Sequence, residues 1–373
     1  MNIVVFIILI ICLLYVSLIS IFIYGWIKTP IFIATNNLPQ TSISVIVAIR
    51  NEEENLSQII DCLANQNYPK HLLEIILVND HSTDKSLEII LAACNQYSFF
   101  KFINLENSFG KKEAIKSAIT ISSGNLIVTT DADCTMNNNW LRTISSFYET
   151  EKPAMIIGPV KMNNKTYFEQ MQALEFTSLI SSGAGAAAIK SPILCNGANL
   201  AYEKANFFNQ KDFFQNNISS GDDMFAMINL KKQGKSIRFL KSIDAVVCTN
   251  PQKSISEFIQ QRLRWASKTT KMLDLFTIYT AIIVYLINLT LLILIIGSLF
   301  SYSLFLLFTS VLLLKTIIDL MLMSKFTAFI NQQKILWFVI PVELAYFLYV
   351  SLIGLFSNFL THKWKNRLNF IQK

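Results

Sequence analysis

The chain has 373 residues, 52% of them hydrophobic and only 15% charged, a balance too apolar for an ordinary soluble domain. Lysine and arginine number 32 against 25 aspartates and glutamates, a formal charge of +7. That excess suits a face that meets anionic headgroups or a nucleotide phosphate and is not in itself a nucleic-acid signal. The six cysteines are scattered without a CxxC spacing or histidine partners, which argues against a disulfide framework or a zinc site and for a reducing compartment.

In chain order, residues 3 to 27 form an uncharged apolar run, longer than the ~20 residues that cross a hydrocarbon core. No basic region precedes it and no small-residue cleavage site follows, so 1–28 is read as a retained anchor. From Ser42 onward short Ile/Val/Leu runs alternate with helix-type stretches: "ISVIVAI" before "NEEENLSQIIDCLANQ", "LEIILVND" before "STDKSLEIILAACNQ", and "KKEAIKSAITIS" before "NLIVTTDAD". This pattern predicts an α/β domain over 40–250 whose parallel strands are buried on both faces. In open α/β sheets the ligand lies beyond the carboxyl ends of the strands. Arg50-Asn51-Glu52, Asn79-Asp80 and Asp131-Ala132-Asp133 each follow a strand directly. Ser82 and Asp84 read as helix-capping residues.

Two carboxylates thrown past a strand end, Asp131 and Asp133, offer hard oxygen ligands of the kind Mg²⁺ or Mn²⁺ prefers; a solvated turn is the plainer alternative. Further along, Gly221 frees the backbone ahead of Asp222 and Asp223, which open a helix whose N-terminal dipole stabilises carboxylates. One of the two is a general-base candidate, and capping alone accounts for only one of them. "YFEQMQALEFTSLISSGAGAAAI", residues 167–189, reads as an interfacial helix with a Gly/Ala-rich end suited to close approach to membrane spans. "SEFIQQRLRWASKTT" reads as a second membrane-surface helix over 251–275.

A second apolar block over 276–360 predicts spans near 276–297, 303–323 and 335–357. Lys315 and Asp319, four apart on one helix face, can pair inside the middle span, either as a packing pair or as the lining of a lipid or glycan path. Lys28 and the basic residues Lys253, Arg262, Arg264, Lys268 and Lys271 put the central domain in the cytoplasm by the positive-inside rule. Three full spans would then export the basic tail over 361–373. The conflict favours a re-entrant or interfacial last segment, broken by Pro341 and carrying Glu343, over export of the tail.

"ISVIVAIRNEEENL", "ILVNDHSTDKS", "GKKEAIKSAI", "TTDADC", "NGANLAY", "GDDMFA" and "QQRLRW" occur in the order and approximate spacing of family 2 glycosyltransferases of the GT-A fold. Over residues 42–275 the chain most resembles membrane-embedded members such as cellulose, hyaluronan and poly-N-acetylglucosamine synthases and ceramide glucosyltransferases. The resemblance implies a Rossmann-like, mixed but mostly parallel sheet between transmembrane helices, and an inverting transfer from a nucleotide-diphospho-sugar, with a UDP-sugar the expected donor. It further implies Asp133 as metal ligand with Asp131 in the ribose and metal shell, Asp223 as base supported by Asp222, and a nucleotide pocket of Ala48, Arg50, Glu52 and Asp80 with Lys111 or Lys112. Gln261 and Arg264 would close over the donor diphosphate, Trp265 would pack on the acceptor, and Asn196, Gly197 and Asn199 would line the sugar site, although a tight turn explains Gly197 equally well. Asn79 stands where the family usually has the first of paired aspartates.

The expectation is an integral protein of a bacterial inner membrane with a cytoplasmic catalytic domain, Mg²⁺ or Mn²⁺ as cofactor and no nucleic-acid partner. The acceptor is a membrane lipid, because few spans leave little material for a glycan channel; the alternative is a processive polysaccharide synthase. A catalytically silent scaffold would be expected to have lost the base or the metal aspartates, and both are present.

Overall fold

A computed structural model describes residues 3–209, 213–214, 221–269, 274–356, 363–364 and 367–368. Lys271 and most of the basic tail over 361–373 lie outside the described residues. The chain divides into two compact units. One gathers Met1–Lys28, Asn163–Ile193 and Pro251–Phe370; the other gathers Thr29–Met162 and Leu194–Asn250. The expected domain over 40–250 is therefore interrupted, because residues 163–193 cluster with the apolar helices.

The chain begins with helix α1 (Ile3–Lys28) and continues through β1 (Ile43–Ile49), α2 (Glu53–Ala64), β2 (Leu73–Asn79), α3 (Ser86–Gln96), β3 (Phe100–Asn104), α4 (Lys111–Ile121), β4 (Leu126–Asp131) and β5 (Thr135–Met136). After α5 (Trp140–Glu151), β6 (Met155–Ile157) and β7 (Val160–Met162) comes the long α6 (Tyr167–Ala188). Then follow β8 (Leu200–Glu203), α7 (Lys204–Phe208), α8 (Asp222–Lys232), β9 (Ile237–Phe239) and β10 (Val247–Thr249). The last helices are α9 (Ile255–Thr269), α10 (Leu275–Gly297), α11 (Tyr302–Phe329) and α12 (Val339–Phe356).

In the α/β unit a seven-stranded sheet runs β3-β2-β1-β4-β8-β6-β9. Strands β3, β2, β1 and β4 are parallel, and β8 lies antiparallel to both β4 and β6. The sequence dictates the centre: every residue of β2 is buried and every residue of β1 except the half-buried Ala48, as strands covered on both faces require. Leu56, Ile59, Ile60 and Leu63 form the buried stripe of α2, the one-sided apolar spacing of a helix laid on a core. In register Ala48 pairs with both Val78 and Asp131, and Ile49 pairs with Asn79. The chain thus leaves the sheet at one edge at Arg50, Asp80 and Asp131.

The other unit is built from apolar helices. Among the described residues four helical stretches, Ile3–Lys28, Leu275–Gly297, Tyr302–Phe329 and Gln333–Gly354, are long and apolar enough to cross a membrane. The last combines a 3₁₀ turn over Gln333–Phe338 with α12, so the segment containing Pro341 and Glu343 is helical throughout. Helix α6 opens with a capping box between Thr166 and Glu169 and meets α1 where neither has a side chain: a Cβ on Gly185 would lie 2.4 Å from the carbonyl oxygen of Phe22, and one on Gly25 would lie 2.3 Å from that of Gly185. Close backbone approach through small residues is how helices associate where no hydrophobic force drives them together. Trp26 completes the contact against Phe326 and Phe329.

Gly185→Val should therefore separate α1 from α6. The expected loss is about 1–3 kcal/mol or more, the usual cost of overpacking, read as a lowered melting temperature of the detergent-solubilised chain; an unchanged melting curve would refute the contact.

Candidate active site

The carboxyl edge of the parallel strands collects the polar residues. After β2, Asp80 is 1% exposed, and its carboxylate accepts from the Gly110 N–H at 3.1 Å and faces His81 Nδ1 at 3.1 Å. His81 stacks on Phe109 with ring centroids 4.2 Å apart. Arg50 donates from Nη1 to the Asp80 carbonyl at 3.1 Å. Asn79 carries no charge into this edge: its amide nitrogen donates to Asn104 Oδ1 at 2.7 Å and its oxygen accepts from the Ser82 N–H, so it ties β2 to β3 and closes the turn. Asp84 accepts from the N–H groups of both Glu53 and Ser86, an anchoring role for the starts of α2 and α3.

Lys111, the first residue of α4, is the hub. Its ammonium forms an ion pair with Asp131 Oδ1, and Asp131, Asp222 and Asp223 all hold it in the charged form against the opposing effect of burial. Burial favours the neutral amine; three carboxylates outweigh it. Lys112 turns instead into the core, with Nζ 5.9 Å from the Phe225 ring centroid. Of the two lysines, Lys111 is the one at the carboxylates.

Gly221 adopts φ +92°, a left-handed conformation that glycine takes at little cost, and starts α8 so that Asp222 and Asp223 form its first turn. Asp223 accepts from the N–H of Gly197 at 3.1 Å and of Met224 at 2.8 Å. Gly197 also accepts at its carbonyl from Thr129 Oγ1 at 2.9 Å. A Cβ there would come within 3.2 Å of Lys111 Nζ, so the glycine admits the lysine to Asp223.

Asp133 is held by Thr249, whose Oγ1 donates to Oδ2 at 3.0 Å. Burial, then the charges of Asp131 and Glu52, push its carboxyl above the usual range, opposed by the bonds from Thr249 and Asn250. Burial and the neighbouring aspartates also push the thiols of Cys134 and Cys195 well up. Neither is a ready thiolate.

Asp131 and Asp133 fit a hard divalent ion. No group of three His, Cys, Asp or Glu residues forms a metal cluster among the described residues, so the protein offers two carboxylates. That is the set Mg²⁺-type ions take when substrate phosphates and water fill the remaining positions.

Of the residues expected at the site, Asp131, Asp222 and Asp223 surround Lys111, Gly197 bonds to Asp223, and Asp133 lies in the field of Asp131 and Glu52; Ala48 pairs in register with Asp131, and Arg50 bonds to the carbonyl of Asp80. Asn196 caps the turn at Gly197 by accepting from the Ala198 N–H. Asn199, expected to line the sugar site, points inward. It is 1% exposed, its nitrogen donates to the carbonyls of Pro159 and Ala245 at 2.8 Å each, and its oxygen accepts from Trp140 Nε1, so both amide ends are used by the framework. Gln261, Arg264 and Trp265 belong to the helical unit, where Gln261 Oε1 accepts from Arg262. Thr249 and His81 were not singled out in the sequence; a lone threonine 116 residues from the aspartate it holds leaves no local pattern.

The Glycosyl transferase family 2 model matches residues 44–232. An N-acetylglucosaminyltransferase of Rhizobium meliloti (strain 1021) is 24% identical over 242 residues, covering 62% of this chain and 56% of the relative. A poly-beta-1,6-N-acetyl-D-glucosamine synthase of Staphylococcus epidermidis is 29% identical over 140 residues, 37% of this chain and 33% of the relative. The chain spans about half the length or less of these curated relatives. Among solved structures, the mannosyltransferase PcManGT of Pyrobaculum calidifontis, in complex with GDP-Man and Mn²⁺, superposes with a TM-score of 0.56 at 14% identity, covering 93% of this chain and 99% of that one. This likeness bears on the fold.

Divalent cation should stabilise the protein by mass action, about 2.7 kcal/mol at a hundredfold excess over Kd. Titrating Mn²⁺ into metal-free protein is expected to raise the melting temperature, and Asp133→Asn should remove most of the increase. An equal shift in the variant would exclude Asp133 from the cation site.

Proposed function

The chain belongs to glycosyl transferase family 2, and from that membership and the geometry of its carboxylate cleft we propose that it is a membrane-bound, inverting transferase that moves a sugar from a UDP-sugar to a membrane lipid. The observation that carries the reading is the convergence of Asp131, Asp222 and Asp223 on Lys111, with Asp133 beside Asp131. A donor leaving as a diphosphate requires positive charge where negative charge accumulates, and an attacking hydroxyl requires a base.

Asp223 is the base. It takes the hydroxyl proton as the acceptor oxygen bonds to the anomeric carbon, while the bond from that carbon to the phosphate oxygen breaks on the opposite side. One displacement inverts the configuration. The N–H groups of Gly197 and Met224 fix the Asp223 carboxylate, and Asp222, buried at the same helix start, supports it. Asp80, Arg50, Glu52 and Ala48 form the nucleotide side. Asp133 and Asp131 would hold Mg²⁺ or Mn²⁺, which when bound neutralises charge on the departing diphosphate. Lys111 orients Asp131 and adds a fixed positive charge.

The four apolar helices support membrane integration, and the basic residues before α10 favour a cytoplasmic face for the α/β unit of a bacterial inner-membrane protein. A lipid acceptor is favoured because the four candidate spans among the described residues offer little material to line a glycan channel. The polymer-forming name of the Staphylococcus epidermidis relative favours a second reading, processive elongation of a glycan. N-acetylglucosamine is the first donor sugar to test, because the relatives are named for it.

Membranes containing the protein and labelled UDP-N-acetylglucosamine should yield label in an organic-extractable lipid, and chelation of divalent metal should abolish it. Label appearing only in high-molecular-weight glycan would select the second reading. Asp223→Asn should lower transfer by about 10²–10⁴-fold, the range for loss of a general base; full activity in that variant would refute the mechanism.

A further inference from the structure

In the α/β unit, His81 follows Asp80 in the turn after β2 and takes φ +56°, a left-handed conformation that glycine would adopt at less cost. Its ring reaches across to the loop over 105–110, which joins β3 to α4. Nε2 lies 3.3 Å from the Glu106 carbonyl oxygen, which only accepts, so Nε2 is the donor. The imidazole stacks on Phe109 with centroids 4.2 Å apart and planes 24° from parallel, while Nδ1 faces Asp80 Oδ1 at 3.1 Å. The ends of the same loop are tied to the β2 side as well: the Leu105 N–H donates to the Asn79 carbonyl at 3.0 Å and the Gly110 N–H to Asp80 Oδ2 at 3.1 Å. The next residue is Lys111, whose ammonium pairs with Asp131 in the field of Asp222 and Asp223.

We propose that His81 is a positioning residue for sugar transfer: it fastens the interior of the loop over 105–110 and thereby fixes how Lys111 enters the carboxylate cleft. This rests on the glycosyltransferase reading and on the part given there to Lys111. Glu106, Asn107 and Phe109 are exposed, so burial does little to hold this stretch, and the bonds at Leu105 and Gly110 fix only its ends. The imidazole supplies a hydrogen bond and a stacking face between those ends. Ala114, Ile115 and Ala118 anchor the body of α4 in the core; Lys111 stands at its first position, where the loop sets the presentation. A turn alone would be served better by glycine. The histidine keeps the costlier backbone and uses its ring to join two loops of one sheet edge.

The test uses the full-length chain in detergent and reads amide hydrogen exchange over 105–114 beside kcat/KM for the donor. His81→Gly frees the backbone and removes the ring, Phe109→Leu removes the stack, and Phe109→Tyr keeps it. In His81→Gly exchange over this stretch is expected to be about tenfold faster and donor kcat/KM about 10- to 10²-fold lower, since a ~1 Å misplacement can cost that much, with the melting temperature nearly unchanged. Phe109→Leu should show a smaller change of both kinds and Phe109→Tyr neither. A role confined to the turn predicts that His81→Gly exchanges and transfers as the unmutated chain does, and that result overturns the inference. So does a fall in kcat/KM with exchange over 105–114 unaltered. Should His81→Gly fail to fold, the Phe109 pair decides: equal exchange and equal kcat/KM in Phe109→Leu and Phe109→Tyr overturn it. An unmutated chain that turns over no nucleotide sugar would refute the glycosyltransferase reading itself, a failure visible before any substitution is made.

Discussion

The structure depends on one electrostatic constraint: half-buried carboxylates gathered at the end of a parallel sheet have to coexist with limited access to water. Two like charges 4 Å apart repel by about 4 kcal/mol at the effective dielectric near a protein surface. Lys111 relieves part of this by pairing with Asp131 in the field of Asp222 and Asp223. The Asp133 carboxyl is raised by burial and by Asp131. One ammonium among several acids leaves the cleft short of positive charge. A divalent cation accompanying a phosphate donor would make good that shortage, which ties the fold's electrostatic cost to the chemistry proposed for it.

Sheet register explains how residues so far apart along the chain arrive together. Parallel pairing sets Ala48 beside Asp131 and Ile49 beside Asn79, so the loops after three strands open on one edge. Strand β8 runs antiparallel to β4, which brings the Gly197 turn, just before β8, to the same edge. There its N–H meets Asp223 at the start of α8. Each functional group sits at the end of a regular element, as preorganisation requires.

Much of this was legible in the sequence because the signals are local. Short runs rich in Ile, Val and Leu gave β1, β2 and β4; long, predominantly apolar runs gave the four candidate membrane helices; strand ends marked Asp80, Asp131 and Asp133. What escaped was long-range. The sequence cannot show that Asn199 bonds inward to Pro159, Ala245 and Trp140, since an asparagine in a loop looks the same whether it faces a ligand or the framework. Asn79 looked like a missing nucleotide contact until its bond to Asn104 gave it a different purpose. The boundary drawn over 40–250 missed the split of 163–193 from the α/β unit, although the Gly/Ala-rich end of 167–189 had already pointed to close approach to the membrane spans.

The helical unit repeats the electrostatic problem in a drier setting. Lys315 pairs with Asp319 at 2.7 Å, as four-residue spacing on a helix permits, and also with Glu343 at 2.5 Å, while Tyr15 donates to Asp319 at 2.6 Å. Removing one partner from such a buried cluster strands a charge, at a typical cost of 3–5 kcal/mol, even where the intact cluster adds little net stability. Arrangements of α1, α11 and α12 that break the cluster carry that cost. Glu343, Tyr346 and Tyr349 follow one another at three-residue intervals along α12. The Tyr346 ring lies 5.0 Å from the Lys315 ammonium and 5.3 Å from the Tyr349 ring, and Tyr349 reaches Glu175. One line of α12 thus joins the charged cluster among the apolar helices to the Glu175–Arg262 ion pair.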